Sequence, residues 1–71
     1  MIEDDTTLDL PTRIERRRRA LRVGELADLL SVSTRKIYVM VERSKLPSYQ
    51  IDGSIRFDPR LTAEWLRRHA A

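Results

Sequence analysis

A mainly α-helical fold with one small β-hairpin, ordered helix, helix, hairpin, helix, is predicted by three features of this 71-residue chain. Two short apolar stripes with helical spacing flank a Ser31-Val32-Ser33 break. Two alternating segments flank Asp52-Gly53, and Asp58-Pro59 heads a last amphipathic stretch.

Taken in order, residues 1–12 are polar, acidic and without period, which predicts a disordered tail. The run Arg13-Ile14-Glu15-Arg16-Arg17-Arg18-Arg19 is the most charged in the chain. Its lone Ile14 and the following Ala20-Leu21 could support a short helix, but the consecutive arginines repel one another, so it reads as a flexible basic arm. The division expected is a flexible N-terminal tail over 1–19, acidic at 1–9 and basic at 13–19, followed by one folded domain over 20–71.

Leu26, Leu29 and Leu30 fall at i, i+3 and i+4, predicting a short helix from Gly24 to Leu30. Ser33 is placed to cap a second helix, its hydroxyl accepting from an amide one turn on. That helix runs from Thr34 to about Arg43 and buries Ile37, Met40 and Val41. Lys45-Leu46-Pro47 ends it. Tyr49-Gln50-Ile51 and Ile55-Arg56-Phe57 alternate around the Asp-Gly turn. An odd loop, Asp52-Gly53-Ser54, would pair Ile51 with Ile55 and Tyr49 with Phe57 on one buried face. Gln50 and Arg56 would then share the outer face. Asp58 caps the last helix and Pro59 starts it, where a missing N–H is harmless. Leu61, Trp65 and Leu66 should face the core, while Arg67 and Arg68 suit the dipole at the helix end.

So short a chain buries one thin core and has little room for an enclosed active site. It has no cysteine and a single histidine, His69, which leaves no thiolate metal site and no second imidazole. No cofactor or metal is expected, and no catalytic residue, because the carboxylates are scattered among basic side chains. The longest apolar stretch falls far short of the roughly 20 residues of a membrane span. The acidic N-terminus lacks a signal-peptide pattern, so a cytoplasmic, non-membrane protein is expected. Net charge is +3, but residues 1–9 carry Glu3, Asp4, Asp5 and Asp9 without a base. Residues 10–71 therefore hold 14 basic against 7 acidic side chains, an excess of +7 that should attract polyanions.

Ala27 gives the spacing its meaning. Leu30, Val32, Ile37 and Met40 follow it at +3, +5, +10 and +13, the offsets of two helices crossing closely around a small residue and a tight turn. That is a helix-turn-helix. Ser31 stands where glycine is usual, in a backbone position that tends to positive φ, at a cost of about 1 kcal/mol.

The stretch Leu21 to Arg68, about two-thirds of the chain, also resembles the excisionase-type, MerR-like winged helix-turn-helix domains. The matching residues are Glu25 to Ser33, Ile37-Tyr38, Lys45-Leu46-Pro47, Gly53, Arg56-Phe57-Asp58-Pro59 and Glu64-Trp65-Leu66. The resemblance implies a second helix in the major groove and a hairpin wing against an adjacent minor groove. Its phage members are recombination directionality factors, which bind several sites cooperatively, bend DNA and steer an integrase toward excision. MerR-type regulators usually add a coiled-coil helix and an effector domain. This chain stops after the helix supporting the wing, which favours the excisionase reading over a small MerR-like or AlpA-like transcriptional regulator. The partners implied are double-stranded DNA, an integrase and neighbouring protomers on DNA. A monomer in free solution is expected, in a bacterium or as a phage protein in a bacterial host.

With Ile37, Met40 and Val41 on the core face, Ser33, Thr34, Arg35, Lys36, Tyr38 and Val39 are left toward DNA. Arg35 is the first candidate for base readout, because a guanidinium can bond twice to a guanine edge. Two cations at a helix start make little structural sense without a polyanion nearby. Tyr38 either bonds a phosphate or packs under the wing, and Val39 suits a thymine methyl. Arg22, Arg43 and Lys45 flank the helix as phosphate positioners. On the wing, Arg56 and Gln50 point outward, and Ser54 holds the tip where the family often has arginine or lysine, which argues against deep insertion. Arg16, Arg17, Arg18 and Arg19 either enter the minor groove in compensation or act only at long range. A protein-interaction module would instead dock through the acidic tail and the Trp65 helix. RNA binding is disfavoured, since Trp65, Phe57 and Tyr49 are assigned to the core.

Overall fold

The computed structural model describes residues 8–70. Its elements are α1 (Leu10–Glu15), α2 (Val23–Leu30), α3 (Thr34–Glu42), β1 (Tyr49–Ile51), β2 (Ser54–Arg56) and α4 (Pro59–Arg68).

The central unit follows the periodicity. Leu26 and Ile37 are fully buried and Ala27 nearly so, which sets α2 and α3 face to face around a small side chain. At the head of α2, Glu25 Oε1 accepts the Arg22 amide at 3.1 Å. A guanidinium has no acceptor to offer in return, so only this half of a capping box forms. Ser31 ends α2 in the left-handed region, at φ 55° and ψ 43°. There the Val32 amide donates to the Ala27 carbonyl (2.9 Å) and the Ser31 amide to that of Asp28 (3.2 Å). This closure satisfies the last carbonyls and swings the chain toward α3. Ser33 Oγ then accepts the Lys36 amide at 3.1 Å, the expected cap. At the far end of α3, Ser44 repeats the left-handed exit with φ 55°.

The basic arm differs from its sequence-based reading. Residues 10–15 are helical, not part of a flexible tail. Asp9 accepts the Thr12 amide at 3.1 Å, Pro11 lies in the first turn, and Ile14 is completely buried. Removing one isoleucine side chain from water is worth about 1.5–3 kcal/mol, enough to fix so short a helix that propensity alone would not hold. The acidic residues Glu3, Asp4 and Asp5 lie outside the described residues.

Helix α1 packs along α4, which rotates the burial of α4. Thr62 and Ala63 are its fully buried residues, and the expected core residues Leu61, Trp65 and Leu66 are half-buried. Asp58 Oδ1 caps the helix by accepting the Arg60 (2.8 Å) and Leu61 (3.2 Å) amides, with Pro59 in the first turn.

The hairpin register also departs from expectation. Ile51 pairs with Ser54, Gln50 with Ile55 and Tyr49 with Arg56, so the turn is two residues and not three. Asp52 (φ 50°) and Gly53 (φ 83°) are both left-handed, as in the tight turn whose twist suits paired strands. Turn chemistry overrides the burial of Tyr49 and Ile51, which are 52% and 58% exposed. The body-facing row is instead Ile55 and the buried Phe57, with Gln50 on the same face as Ile55. Phe57 is also held by Leu21, through reciprocal backbone bonds of 2.9 Å each, which ties the segment before α2 to the strand after the turn.

Candidate nucleic-acid interface

The first turn of α3 displays Ser33, Thr34, Arg35 and Lys36 to solvent. No acidic residue stands in that turn. Among the described residues the ion pairs are Arg67–Glu15 and Arg19–Glu25, so neither Arg35 nor Lys36 is neutralised. Two cations at the positive end of a helix dipole raise the local potential, without a compensating ion pair among the described residues. Tyr38 follows Arg35 by three residues, on the neighbouring ridge, and is 49% exposed. Val39 is half-buried, which leaves part of its surface for an apolar contact.

Tyr38 borders an open groove whose other walls are Arg22 and Val23 at the head of α2 and Ser54 and Arg56 of the hairpin. Four of the residues singled out from the sequence (Arg22, Tyr38, Ser54 and Arg56) thus meet around one depression. Arg56 is half-buried there, its Nη1 donating to the Ile55 carbonyl at 2.9 Å, which anchors the guanidinium stem beside the groove. Arg56 stands opposite Tyr49 and not Gln50, because of the two-residue turn. Gln50 stands opposite Ile55 and is not among the residues that line this groove.

Arg43 and Lys45 are exposed, but they sit at the C-terminal end of α3, about 13 Å along the axis from its start. Arg16 closes α1 as its C-cap, and Arg17, Arg18 and Arg19 line a second groove. That second groove also holds Tyr49 and Arg60. Neither was singled out from the sequence. Tyr49 was assigned to the core by the wrong register, whereas Arg60 could have been found by the reasoning used for Arg35, as a cation in the first turn of a helix.

The profile described as "Helix-turn-helix domain" matches residues 20–70, most of the chain and all of the unit from α2 to α4. The chain belongs to the helix-turn-helix domain family. Domains of this family bind DNA and are typically non-enzymatic. No curated protein and no solved structure matches the chain at a significant level. Within the helix-turn-helix frame, α2 and α3 are the paired helices and the left-handed Ser31 is their turn. No helix among the described residues is long and apolar enough to cross a membrane.

Proposed function

We propose that this protein is a sequence-specific double-stranded DNA binder of the winged type, with α3 as the recognition helix and the β1–β2 hairpin as the wing. The observation that carries this reading is the Arg35-Lys36 step at the exposed start of α3, which has no ion pair among the described residues. Arg35 reads a base edge, Thr34 and Val39 make accessory groove contacts, and Ser33 and Lys36 meet the adjacent phosphates. Arg22, Tyr38, Ser54 and Arg56 line the groove beside α3 and fix the register of the protein on the backbone. Gln50, Arg43 and Lys45 provide outlying contacts.

The biological role supported by the resemblance of residues 21–68 is that of an excisionase. Protomers, monomeric when free, bind neighbouring sites cooperatively in the bacterial cytoplasm, bend the DNA and direct an integrase toward excision. The domain's small exposed reading surface favours such cooperativity, because one short helix contacts few base pairs.

Selection from a random duplex library tests the reading, followed by a bending assay on the enriched site and an excision reaction with the integrase of the same genome. Enrichment, bending and stimulated excision support it. A defined site without bending or any effect on excision assigns the protein to transcriptional regulation. Failure to enrich any site removes the DNA reading.

A further inference from the structure

Resting on the proposed DNA binding, we infer that the groove lined by Arg17, Arg18, Arg19, Tyr49 and Arg60 is a second, preformed clamp for the phosphate backbone of the duplex that α3 reads. The run Arg16 to Arg19 is tethered at both ends. Ile14 is fully buried on one side, and Leu21, 1% exposed and bonded twice to Phe57, holds the other. The Arg17 amide still donates to the Ile14 carbonyl at 3.0 Å, so the run leaves α1 in a closed turn. A segment fixed this way surrenders little backbone entropy when it meets a polyanion, but it cannot thread into a narrow groove as a free arm does.

Four guanidinium groups line the groove against two carboxylates, Glu15 and Asp58, which leaves it net positive. Glu15 gives both oxygens to Arg67, at 2.9 and 3.1 Å. Asp58 Oδ1 accepts the Arg60 and Leu61 amides. Arg17, Arg18 and Arg60 have no ion pair among the described residues, and Arg19 has only a 3.8 Å contact with Glu25 while 85% exposed. Arg60 also stands in the first turn of α4, where the dipole disfavours a cation. Tyr49, half exposed on the outer row of the wing, adds a neutral hydroxyl donor of the kind that bonds phosphate oxygens.

The two grooves lie close together. Arg19 lines one and Arg22 the other, three residues apart, so their Cα atoms lie within about 11 Å. Tyr49 and Arg56, one in each groove, are cross-strand partners about 5 Å apart. These spans are no wider than the roughly 12 Å major groove, so one duplex can reach both walls at once. That geometry favours flanking phosphates of the same DNA over a separate acidic partner.

The test is the salt dependence of binding to the selected duplex for the full-length wild type and the double variant Arg18→Gln/Arg60→Gln. Each phosphate contact makes affinity fall about 3.5-fold between 50 and 200 mM salt, from the slope of about −0.9 per contact. The variant should therefore lose about 12-fold less affinity over that range, with its preference for selected over scrambled duplex unchanged. Arg18→Lys/Arg60→Lys should keep the wild-type slope, since a point charge suffices for a phosphate. A wild-type slope in the glutamine variant overturns the clamp. So does an altered preference at the base pairs flanking the site, which would mean minor-groove readout by the arm. If the wild type itself shows neither preference nor salt dependence, it is the DNA reading that fails.

Discussion

Glu15 and Arg67, 52 residues apart in sequence, form a two-pronged ion pair that joins α1 to α4. Arg67 Nη2 also reaches Thr12 Oγ1 at 3.4 Å, so one guanidinium grips two side chains a turn apart on the short helix. Together with the burial of Ile14, the contact holds the residues just ahead of the family match against the domain.

The pair predicts an acid-sensitive docking of α1. The Arg67 guanidinium, bonded to both Glu15 oxygens, holds the Glu15 carboxyl below its ordinary range, outweighing the smaller effect of desolvation. Hydrogen bonds from Thr12, side chain first and then amide, do the same for Asp9. A carboxylate depressed in the folded state contributes fully above its unfolded value and is lost as pH falls through the folded one. Protection of the α1 amides from hydrogen exchange should thus be constant near neutrality and decline once pH drops below about 4. Glu15→Gln should show the weakened protection already at neutral pH. Equal protection in variant and wild type would mean that the pair contributes nothing.

Ile14→Ala should destabilise the whole domain by about 2–4 kcal/mol, because it opens a cavity among fully buried neighbours. Chemical denaturation measures this directly. A change below about 0.5 kcal/mol would return residues 10–15 to the status of a loose tail. Deleting residues 1–19 is a poor test of the arginines for the same reason, since it removes Ile14 along with them.

Much of the central unit was legible beforehand, for local reasons. Ser33 and Asp58 announce helix starts through side chains that cap within three residues, and Ser31 sits where the crossing of α2 and α3 demands a left-handed turn. Helix α1 carries the same kind of signature as α4, an aspartate cap with proline in the first turn. It was obscured by the four arginines that follow, and its burial depends on a contact with α4 that no local pattern contains. The apolar identities of Tyr49 and Ile51 point to the longer loop, but the Asp52-Gly53 turn sets the register. A hairpin projecting from so small a body has only one row to bury, and Ile55 with Phe57 fills it. At the candidate interface, the exposure of Arg35 and Lys36 was readable from helical phase, whereas the meeting of Arg22 with Tyr38 and Arg56 depends on tertiary placement.

Ser31→Gly and Ser44→Gly should each stabilise the protein, by about 1 kcal/mol, by relieving left-handed backbone at exposed residues. Thermal denaturation is the check. Destabilisation in either case would show that the serine side chain makes a contribution exceeding its backbone strain.

Thr62→Val should also stabilise. Thr62 is completely buried, and its hydroxyl has no hydrogen-bond partner among the described residues. An unsatisfied buried hydroxyl costs about 1–3 kcal/mol, and valine has nearly the same shape. For a domain this size a gain of 1 kcal/mol raises Tm by about 4–8 °C. A lowered Tm would reveal a partner for that hydroxyl.

The central claim, that α3 reads bases through Arg35, is tested most directly by comparing Arg35→Ala with wild type on the selected duplex and on a scrambled one of equal length. Fluorescence anisotropy at one salt concentration suffices. Loss of a bidentate guanine contact should weaken binding to the selected duplex by about 1–3 kcal/mol, roughly 5- to 150-fold, with a much smaller loss on the scrambled one. Equal losses on both duplexes would reduce Arg35 to a phosphate contact and contradict base readout by this helix.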